Sequence, residues 1–288
     1  MAIVKIKHAW KRVNENTIKA WLPKRKRESH KGNYGKILLL CGAVGYTGAA
    51  ALAAQAAVRS GAGLVYVGVP ESVYPIVAGK LTEPIVFPLP DENGMLSAAA
   101  ISAVLERLTS MDACLVGCGL GQSEGTFQLV KAVLENAHCP VVVDADGINV
   151  LRGHIDVLRG ASCPVILTPH EGEFLRLGGD LSEGREKGAM KLRNDLHATV
   201  LLKGHRTLIC GEKCYRNCTG NPGMATGGSG DVLAGILVSL LGQEFPASKA
   251  AAAAAWLHGR AGDLVAKKLG EYGLLPSDII KELPRLLK

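Results

Sequence analysis

Short apolar runs alternate with stretches of helical length along most of the chain, and this alternation limits the possible folds more than any other feature. The runs are rich in β-branched residues and are closed by Gly, Asp or Pro; they lie at residues 37–41, 64–69, 113–116, 141–143, 165–167 and 199–202. Ala- and Leu-rich stretches separate or follow them, among them residues 49–60, 97–109, 125–137 and 231–241. Strands alternating with helices predict an α/β protein with a mostly parallel central sheet and helices on both faces.

The pattern changes after residue 202. Two short runs, at residues 207–210 and 213–217, flank Gly211-Glu212 and predict a hairpin at the edge of the sheet. Residues 246–268 and 278–287 predict two closing helices, because the first is Ala-rich and the second is amphipathic.

No linker or repeat divides the sequence. We therefore expect one domain over residues 1–288, with residues 1–35 packing on it as an N-terminal extension. Residues 69–97 carry several prolines and are predicted to form a surface excursion.

Composition indicates a globular protein of a reducing compartment. Hydrophobic residues make up 48% of the 288 residues, which suffices for a large core. The eight cysteines show no paired framework, so we expect a cytoplasmic location. The spacing of Cys210, Cys214 and Cys218 does not match the common zinc patterns, and it assigns no role to this run.

Charge and hydropathy limit the classes of partner that the protein can bind. A net charge of +7 fits an anionic ligand, but no basic stripe with interleaved aromatic residues indicates nucleic-acid binding. No segment offers about 20 uninterrupted apolar residues, and residues 1–11 lack the apolar stretch of a signal peptide. We therefore expect no membrane association.

In a doubly wound α/β sheet the ligand lies beyond the carboxyl ends of the strands, so the segments after the apolar runs form the candidate site. Two of them are glycine-rich: residues 42–48, which include Ala43, and residues 117–121, which include Gly119. Small residues let a ligand approach the backbone, although tight packing between strand and helix would also require them.

Two further segments carry ionisable side chains. Asp144 and Asp146 follow the fourth run and could hold a metal, but Asp is also a common turn and cap residue, and we favour the structural role. His170 and Glu173 follow the fifth run. There His170 could hydrogen-bond a substrate and Glu173 could act on magnesium through water, while a structural histidine fits the pattern equally well.

The strongest signal is the glycine-rich segment of residues 221–231, which directly precedes an apolar helix. Backbone N–H groups at the positive end of the helix dipole predict an anion hole for a phosphoryl group, formed by Gly227, Gly228, Ser229 and Gly230. Asp231 lies where a base could reach a substrate hydroxyl, although an acid in the first turn also stabilises a helix. No Gly-Lys-Ser/Thr follows the glycines, so the segment is not a P-loop.

Residues 227–235 resemble the Gly-Gly-Thr/Ser-Gly-Asp-Val-Leu-Ala-Gly signature of the ADP/ATP-dependent NAD(P)H-hydrate dehydratase family, a branch of the ribokinase-like fold. The resemblance continues in order through residues 30–35, 45–49, 59–65, 144–149 and 167–173. The chain departs from the family at Cys118, where relatives usually have Pro, and at Ser229, where many have Thr. Both residues are small and leave the backbone donors in place. The resemblance implies a ribokinase-like three-layer αβα sandwich.

The resemblance also implies roles for single residues. Ala43, Gly119 and His170 are similar to the family's contacts to the hydrated nicotinamide nucleotide, and Asp231 is similar to the catalytic acid/base beside them. The implied phosphate site for the adenine nucleotide comprises Lys203, Gly204, His205, Arg206, Thr207 and Gly230.

The implied activity is that of a carbon–oxygen lyase: ADP- or ATP-dependent dehydration of the S-form of hydrated NADH or NADPH, with release of AMP or ADP and phosphate. Mg²⁺ is the expected helper. Related bifunctional proteins add an epimerase domain, for which the 36 residues before Ile37 are too few, so we expect no epimerase domain and a separate epimerase as partner. The resemblance also suggests a homo-oligomer.

Two other functions fit the same fold. A small-molecule kinase would stop at a stable phosphate ester, because its substrate cannot eliminate. A nucleotide-sensing binding module would keep the glycine loops but would tolerate changes at Asp231.

Overall fold

In the computed structural model, which describes residues 10–287, a ten-stranded sheet forms the central layer. The strands of this part of the chain are β1 (Lys11–Arg12), β2 (Lys36–Leu40), β3 (Leu64–Pro70), β4 (Ile85–Leu89), β5 (Asp91–Glu92), β6 (Met95–Leu96), β7 (Ala113–Val116), β8 (Val141–Val143), β9 (Val165–Leu167), β10 (Thr199–Leu202), β11 (Leu208–Cys210) and β12 (Cys214–Arg216). Their order across the sheet is β1-β12-β11-β10-β9-β8-β7-β2-β3-β4, and β5 and β6 form a separate pair.

Helices cover both faces of this sheet. Those of the described residues are α1 (Glu15–Trp21), α2 (Thr47–Arg59), α3 (Tyr74–Ala78), α4 (Ile101–Leu108), α5 (Glu124–Asn136), α6 (Asp146–Asn149), α7 (Asp156–Arg159), α8 (Glu171–Arg176), α9 (Arg185–Leu196), α10 (Ser229–Gly242), α11 (Ala247–Leu269) and α12 (Pro276–Leu286). Successive strand residues face opposite sides, so β2 feeds two cores. Ile37 and Leu39 belong to the core that includes residues of α2, α10 and α11, whereas Leu38 and Leu40 belong to the core that includes residues of α4, α5 and α9.

The sheet confirms the mostly parallel arrangement predicted from the sequence. From β10 through β9, β8, β7, β2 and β3 to β4, every neighbouring pair is parallel. The predicted hairpin is the antiparallel pair β11–β12. It is not the outermost element, because β1 pairs in parallel with β12 on its far side.

Residues 69–97 differ from the predicted surface excursion. They contain β4, which pairs with β3 in parallel and becomes the last strand of the sheet. Pro88 lies inside β4; a proline lacks the N–H that a central strand needs, but an edge strand tolerates it. The prolines therefore indicated an edge strand rather than an irregular loop.

The described part of the N-terminal extension packs against the sheet. Ile18 of α1 is buried, and the ring of Trp21 lies edge-on to that of Tyr215 in β12, with 5.5 Å between the ring centroids. Residues 1–9 of the expected extension, and Lys288, lie outside the described residues. Among residues 10–287, no helix is long and apolar enough to cross a membrane.

All eight cysteines are free thiols. Cys210 and Cys214 face each other across the hairpin with 3.4 Å between their sulfur atoms, and both are buried. Cys218 is exposed. The three residues therefore do not gather around a common centre.

Candidate active site

The amino terminus of α10 lies at the edge of the sheet where the parallel strands end. Its cap residue, Gly228, has φ +92°, a left-handed conformation that glycine adopts without steric cost. Beyond it Gly227 is exposed, and a Cβ there would meet no atom within 4 Å. Ser229 is less available than expected, because its N–H donates to Thr226 O at 3.3 Å. The glycine turn thus presents an open surface in front of the helix dipole.

Asp231 lies in the first turn of α10, beside a second carboxylate. Burial, and then the neighbouring charge of Asp144, raise the pKa of Asp231 to about 6, while Cys118 and Lys203 act in the opposite direction. A carboxylate that titrates near neutral pH is suited to accept a proton during catalysis. The structure therefore gives Asp231 an environment that a simple helix-capping acid does not need.

Lys203, at the end of β10, is held by buried carboxylates. Its Nζ donates to Asp144 Oδ1 at 2.8 Å and lies 3.5 Å from Glu173 Oε2. Burial opposes the charge on Lys203, but these two carboxylates hold its pKa above the usual value. A Cβ added to Gly230 would lie 3.7 Å from this ammonium. The predicted cation and the predicted anion hole are therefore neighbours.

Asp144 organises this pocket from the end of β8. Its side chain is almost fully buried, and Oδ1 also accepts the hydroxyl of Thr168 at 2.7 Å. Cys118 Sγ lies 3.6 Å from Asp144 Oδ2. The structure thus gives Asp144 a structural role, because it binds Lys203 and Thr168 rather than capping a helix.

The same residues offer a partial metal site. Cys118 Sγ and carboxylate oxygens of Asp144 and Asp231 lie within 4.8 Å of one another, and among residues 10–287 no other group of three such ligands comes together. Mg²⁺ prefers oxygen ligands, so the thiol is unsuited to it, and Asp144 Oδ1 is already engaged. Only the two carboxylates of this group are therefore suited to contact Mg²⁺.

His170 caps the amino terminus of α8 and has a local structural role that the sequence did not specify. Its Nδ1 accepts the N–H of Glu173 at 3.2 Å, and Glu173 Oε2 accepts the N–H of His170 at 2.8 Å. The imidazole is 53% exposed, and its Nε2 lies 3.4 Å from Glu173 Oε1. Glu173 is buried and lies 3.5 Å from Lys203 Nζ, and its action on magnesium through water stays a prediction.

Ala43 and Gly119 belong to two glycine-rich loops that lie next to each other. Gly42 N–H donates to Cys118 O at 2.9 Å, which joins the two glycine-rich loops. A Cβ on Gly119 would come within 2.7 Å of Tyr46 Cβ. Ala43 is buried, whereas Tyr46 is 58% exposed beside it. The structure therefore adds an exposed aromatic ring to this part of the edge.

The other members of the predicted nucleotide site lie farther out. Gly204, His205 and Arg206 are exposed, and Thr207 Oγ1 closes the turn on Gly204 O at 3.0 Å. His205 and Arg206 line a cavity of about 540 Å³ that also borders α9. Lys203 faces the inner pocket, which we define as Cys118, Asp144, Lys203 and Asp231, and the rest of the segment faces outward.

His258 of α11 is a site neighbour that the sequence did not indicate. Its Nε2 lies 3.3 Å from Ser229 Oγ in the glycine turn. Burial lowers the pKa of His258 to about 4, so the ring is neutral at pH 7. The sequence could not indicate this contact, because His258 stands in an Ala-rich helix far from Ser229 in sequence.

Comparison with known proteins points to one family. Residues 37–285 match the family model described as NAD(P)H-hydrate dehydratase. The bifunctional NAD(P)H-hydrate repair enzyme Nnr of Moorella thermoacetica is 44% identical over 274 residues, which cover 93% of this chain and 52% of that protein. The chain thus spans about half the length of the first curated relatives that it matches.

Solved structures agree with this result. A ribokinase-like superfamily protein of Enterococcus faecalis superposes with a TM-score of 0.86 at 27% identity, covering 100% of this chain and 98% of that one. The ADP/ATP-dependent NAD(P)H-hydrate dehydratase of Bacillus subtilis, co-crystallised with ATP/Mg²⁺, gives a TM-score of 0.81 at 32% identity, covering 96% and 97%. The ribokinase-like αβα fold predicted from the sequence is therefore confirmed.

Proposed function

Because the chain belongs to the NAD(P)H-hydrate dehydratase family, we propose that it dehydrates the S-form of hydrated NADH or NADPH in a reaction driven by ADP or ATP. The observation that carries the proposal is the meeting of three features at one sheet edge. A carboxylate with a pKa of about 6, Asp231, stands beside an open glycine turn. The ammonium of Lys203 stands next to both.

The first chemical step is a phosphoryl transfer. Asp231 accepts the proton of the substrate's C6 hydroxyl as that oxygen attacks the terminal phosphorus of the nucleotide. The new O–P bond forms as the bond to the leaving phosphate oxygen breaks, which releases AMP from ADP or ADP from ATP. Backbone N–H groups of residues 227–230 and the Lys203 ammonium stabilise charge on the transferred group.

The second step is an elimination. Hydroxide is a poor leaving group, whereas phosphate leaves readily from the ester. The C6–O bond breaks with loss of a proton from the neighbouring ring carbon, and inorganic phosphate departs. The double bond that forms restores the dihydropyridine ring of NADH or NADPH.

The protein's own groups divide this work between two places. Ala43, Gly119 and His170 are proposed to bind the hydrated nicotinamide nucleotide, at the edge beside Tyr46. The segment from Lys203 to Thr207 is proposed to bind the adenine nucleotide together with Gly230, an assignment supported by the proximity of Lys203 and Gly230.

Mg²⁺ is proposed to accompany the nucleotide. Bound to phosphate oxygens, it would neutralise their charge and favour attack at phosphorus. Carboxylate oxygens of Asp144 and Asp231 are the groups that would contact the ion or its water. This assignment is supported by their convergence and limited by the engagement of Asp144 with Lys203.

We also propose that the protein works in the cytoplasm, which its eight free cysteines support. A homo-oligomer and a separate epimerase partner stay predictions of the family resemblance. Neither takes part in the reaction scheme above.

The decisive experiment incubates the protein with hydrated NADH, ADP and Mg²⁺ and follows the absorbance of the restored dihydropyridine ring together with inorganic phosphate. Both should rise in step, and neither should rise without the nucleotide. A stable phosphate ester without recovery of absorbance would identify a kinase instead. Nucleotide binding without any product would identify a binding module.

A further inference from the structure

Arg185, the first residue of α9, binds the backbone within and just before the outer nucleotide loop, which we define as residues 204–207. Its Nη1 donates to His205 O at 2.7 Å, and its Nη2 donates to Lys203 O at 2.8 Å and to Leu202 O at 3.3 Å. One planar guanidinium thus reaches three carbonyls across the turn that follows β10. Only arginine offers donors in such a fixed fork.

The guanidinium also lies next to a carboxylate. Its Nε is 3.0 Å from Oε1 of Glu171, the first residue of α8. The Arg185 side chain is 26% exposed, so this contact is partly shielded from water. Glu171 therefore places a negative charge beside the guanidinium, and Arg185 reaches the outer nucleotide loop through His205 O.

The loop has a backbone that needs such support. Gly204 has φ +136° and Arg206 has φ +56°. A non-glycine residue in the left-handed region costs on the order of 1 kcal/mol, so Arg206 adopts this conformation only where its surroundings impose it. A Cβ on Gly204 would lie 2.8 Å from Arg185 Nη2, which shows how closely the guanidinium fits beneath the turn.

From this geometry we propose that Arg185 is a positioning residue that keeps the outer nucleotide loop in its phosphate-binding shape. It acts through the loop backbone and makes no contact with the reacting atoms. The inference rests on the proposed function, because that function makes the loop a nucleotide site. It predicts that loss of the guanidinium weakens nucleotide binding while the chemistry at Asp231 stays intact.

Two substitutions separate shape from charge. Arg185→Ala removes the side chain, and Arg185→Lys keeps the positive charge but loses the fork. Arg193→Ala is the matched control, because it removes the same side chain from the same helix, where its Nη1 donates to the exposed Asn194. Melting curves of all three variants establish that each protein is folded.

Calorimetry with ADP and Mg²⁺ provides the main measurement. Hydrogen bonds from a charged donor are strong enough that Arg185→Ala should raise the Kd for ADP about tenfold, or roughly 1.4 kcal/mol. Arg185→Lys should raise it several-fold, and Arg193→Ala should leave it unchanged. In the dehydration assay the KM for ADP should follow the Kd, whereas kcat at saturating ADP should stay within about threefold.

Two further readouts separate positioning from general destabilisation. Added guanidinium ion should restore part of the ADP affinity of Arg185→Ala and none of that of Arg185→Lys. Hydrogen exchange at the amides of the outer nucleotide loop should be faster in both Arg185 variants than in Arg193→Ala.

The outcomes distinguish the two claims. Wild-type protein that binds neither ADP nor ATP would overturn the proposed function and this inference together. Wild-type protein that binds ADP, with an Arg185→Lys variant that binds it equally well and has an equally protected loop, would overturn this inference alone. A large fall in kcat at unchanged KM would do the same, because it would move Arg185 into the chemical step.

Discussion

The inner pocket, made of Cys118, Asp144, Lys203 and Asp231, and the outer nucleotide loop are organised differently. In the inner pocket charged side chains hold one another: Asp144 is almost fully buried and binds Lys203 at 2.8 Å. The outer nucleotide loop is exposed, and a single arginine holds its backbone. The groups of the inner pocket are therefore fixed before any ligand arrives, whereas those of the outer nucleotide loop stay accessible to solvent.

The largest effect is expected from replacing Asp231, the proposed general base of the inner pocket. Asp231→Asn keeps the size and hydrogen bonding of the side chain but removes the proton acceptor. General-base assistance is typically worth 10²–10⁴-fold, so single-turnover dehydration should slow by at least about 100-fold. ADP affinity should hold or rise, because a negative charge near the phosphates is lost.

Asp156→Asn supplies the control, since it makes the same change at an exposed aspartate of α7. It should leave the rate unchanged. An Asp231→Asn protein that turns over within tenfold of wild type would show that Asp231 only stabilises α10.

The second effect is a pH dependence of the wild-type rate. Because the pKa of Asp231 is raised to about 6, the base is protonated at lower pH, and kcat/KM should fall about tenfold per pH unit below that value. The residual rate of Asp231→Asn should lack this limb. A wild-type profile that is flat between pH 5 and 7 would assign the proton acceptor elsewhere.

The raised pKa of Asp231 should also make the free energy of unfolding depend on pH. The pKa of Asp231 in the folded protein, about 6, lies above its usual value of 3.8, so between these values the folded state binds more protons than the unfolded state. The contribution of Asp231 to the free energy of unfolding should therefore decrease as pH rises through this window. Relative to wild type, Asp231→Asn should gain stability over the same range in denaturant titrations.

The third effect tests the cation of the inner pocket. Lys203→Met leaves two buried carboxylates, Asp144 and Glu173, without their ammonium, and breaking a buried pair typically costs about 3–5 kcal/mol. We expect a large fall in the free energy of unfolding and ADP binding that weakens more than hydrate binding. Lys213→Met, at an exposed lysine of the hairpin, should change neither quantity. Calorimetry that finds hydrate binding more affected would remove Lys203 from the nucleotide site.

The sequence could predict those features whose signals are local. Strands β7 to β10 were predicted with their observed bounds, because their apolar runs and closing residues are local signals. The edge strand β4 was missed, since its prolines are typical of loops as well as of edges. Asp231 was found because a glycine run and a helix start flank it directly in the sequence.

The partners of these residues could not be predicted in the same way. Lys203 and Asp144 are 59 positions apart, and nothing local to either residue specifies their contact. Arg185 stands in a polar helix start that resembles any solvated surface, and only the folded chain brings it under the outer nucleotide loop. Long-range side-chain pairs of this kind follow from the packing of the whole sheet.

The smallest effect is expected at His170, where a binding role and a structural role overlap. His170→Ala removes the exposed imidazole and also the acceptor that caps α8. His170→Ser removes the imidazole but places a preferred cap residue at the same position. The two variants therefore separate the contributions that a single alanine substitution would mix.

Both variants should raise the KM for the hydrated cofactor several-fold, because one neutral hydrogen bond is worth about 0.5–1.5 kcal/mol. Only His170→Ala should lower the melting temperature, by roughly 2–4 °C for a lost cap of about 1 kcal/mol. The kcat should change little in either, since the imidazole lies outside the inner pocket. A KM that is restored in His170→Ser would show that capping α8, and not contact with the substrate, is the contribution of His170.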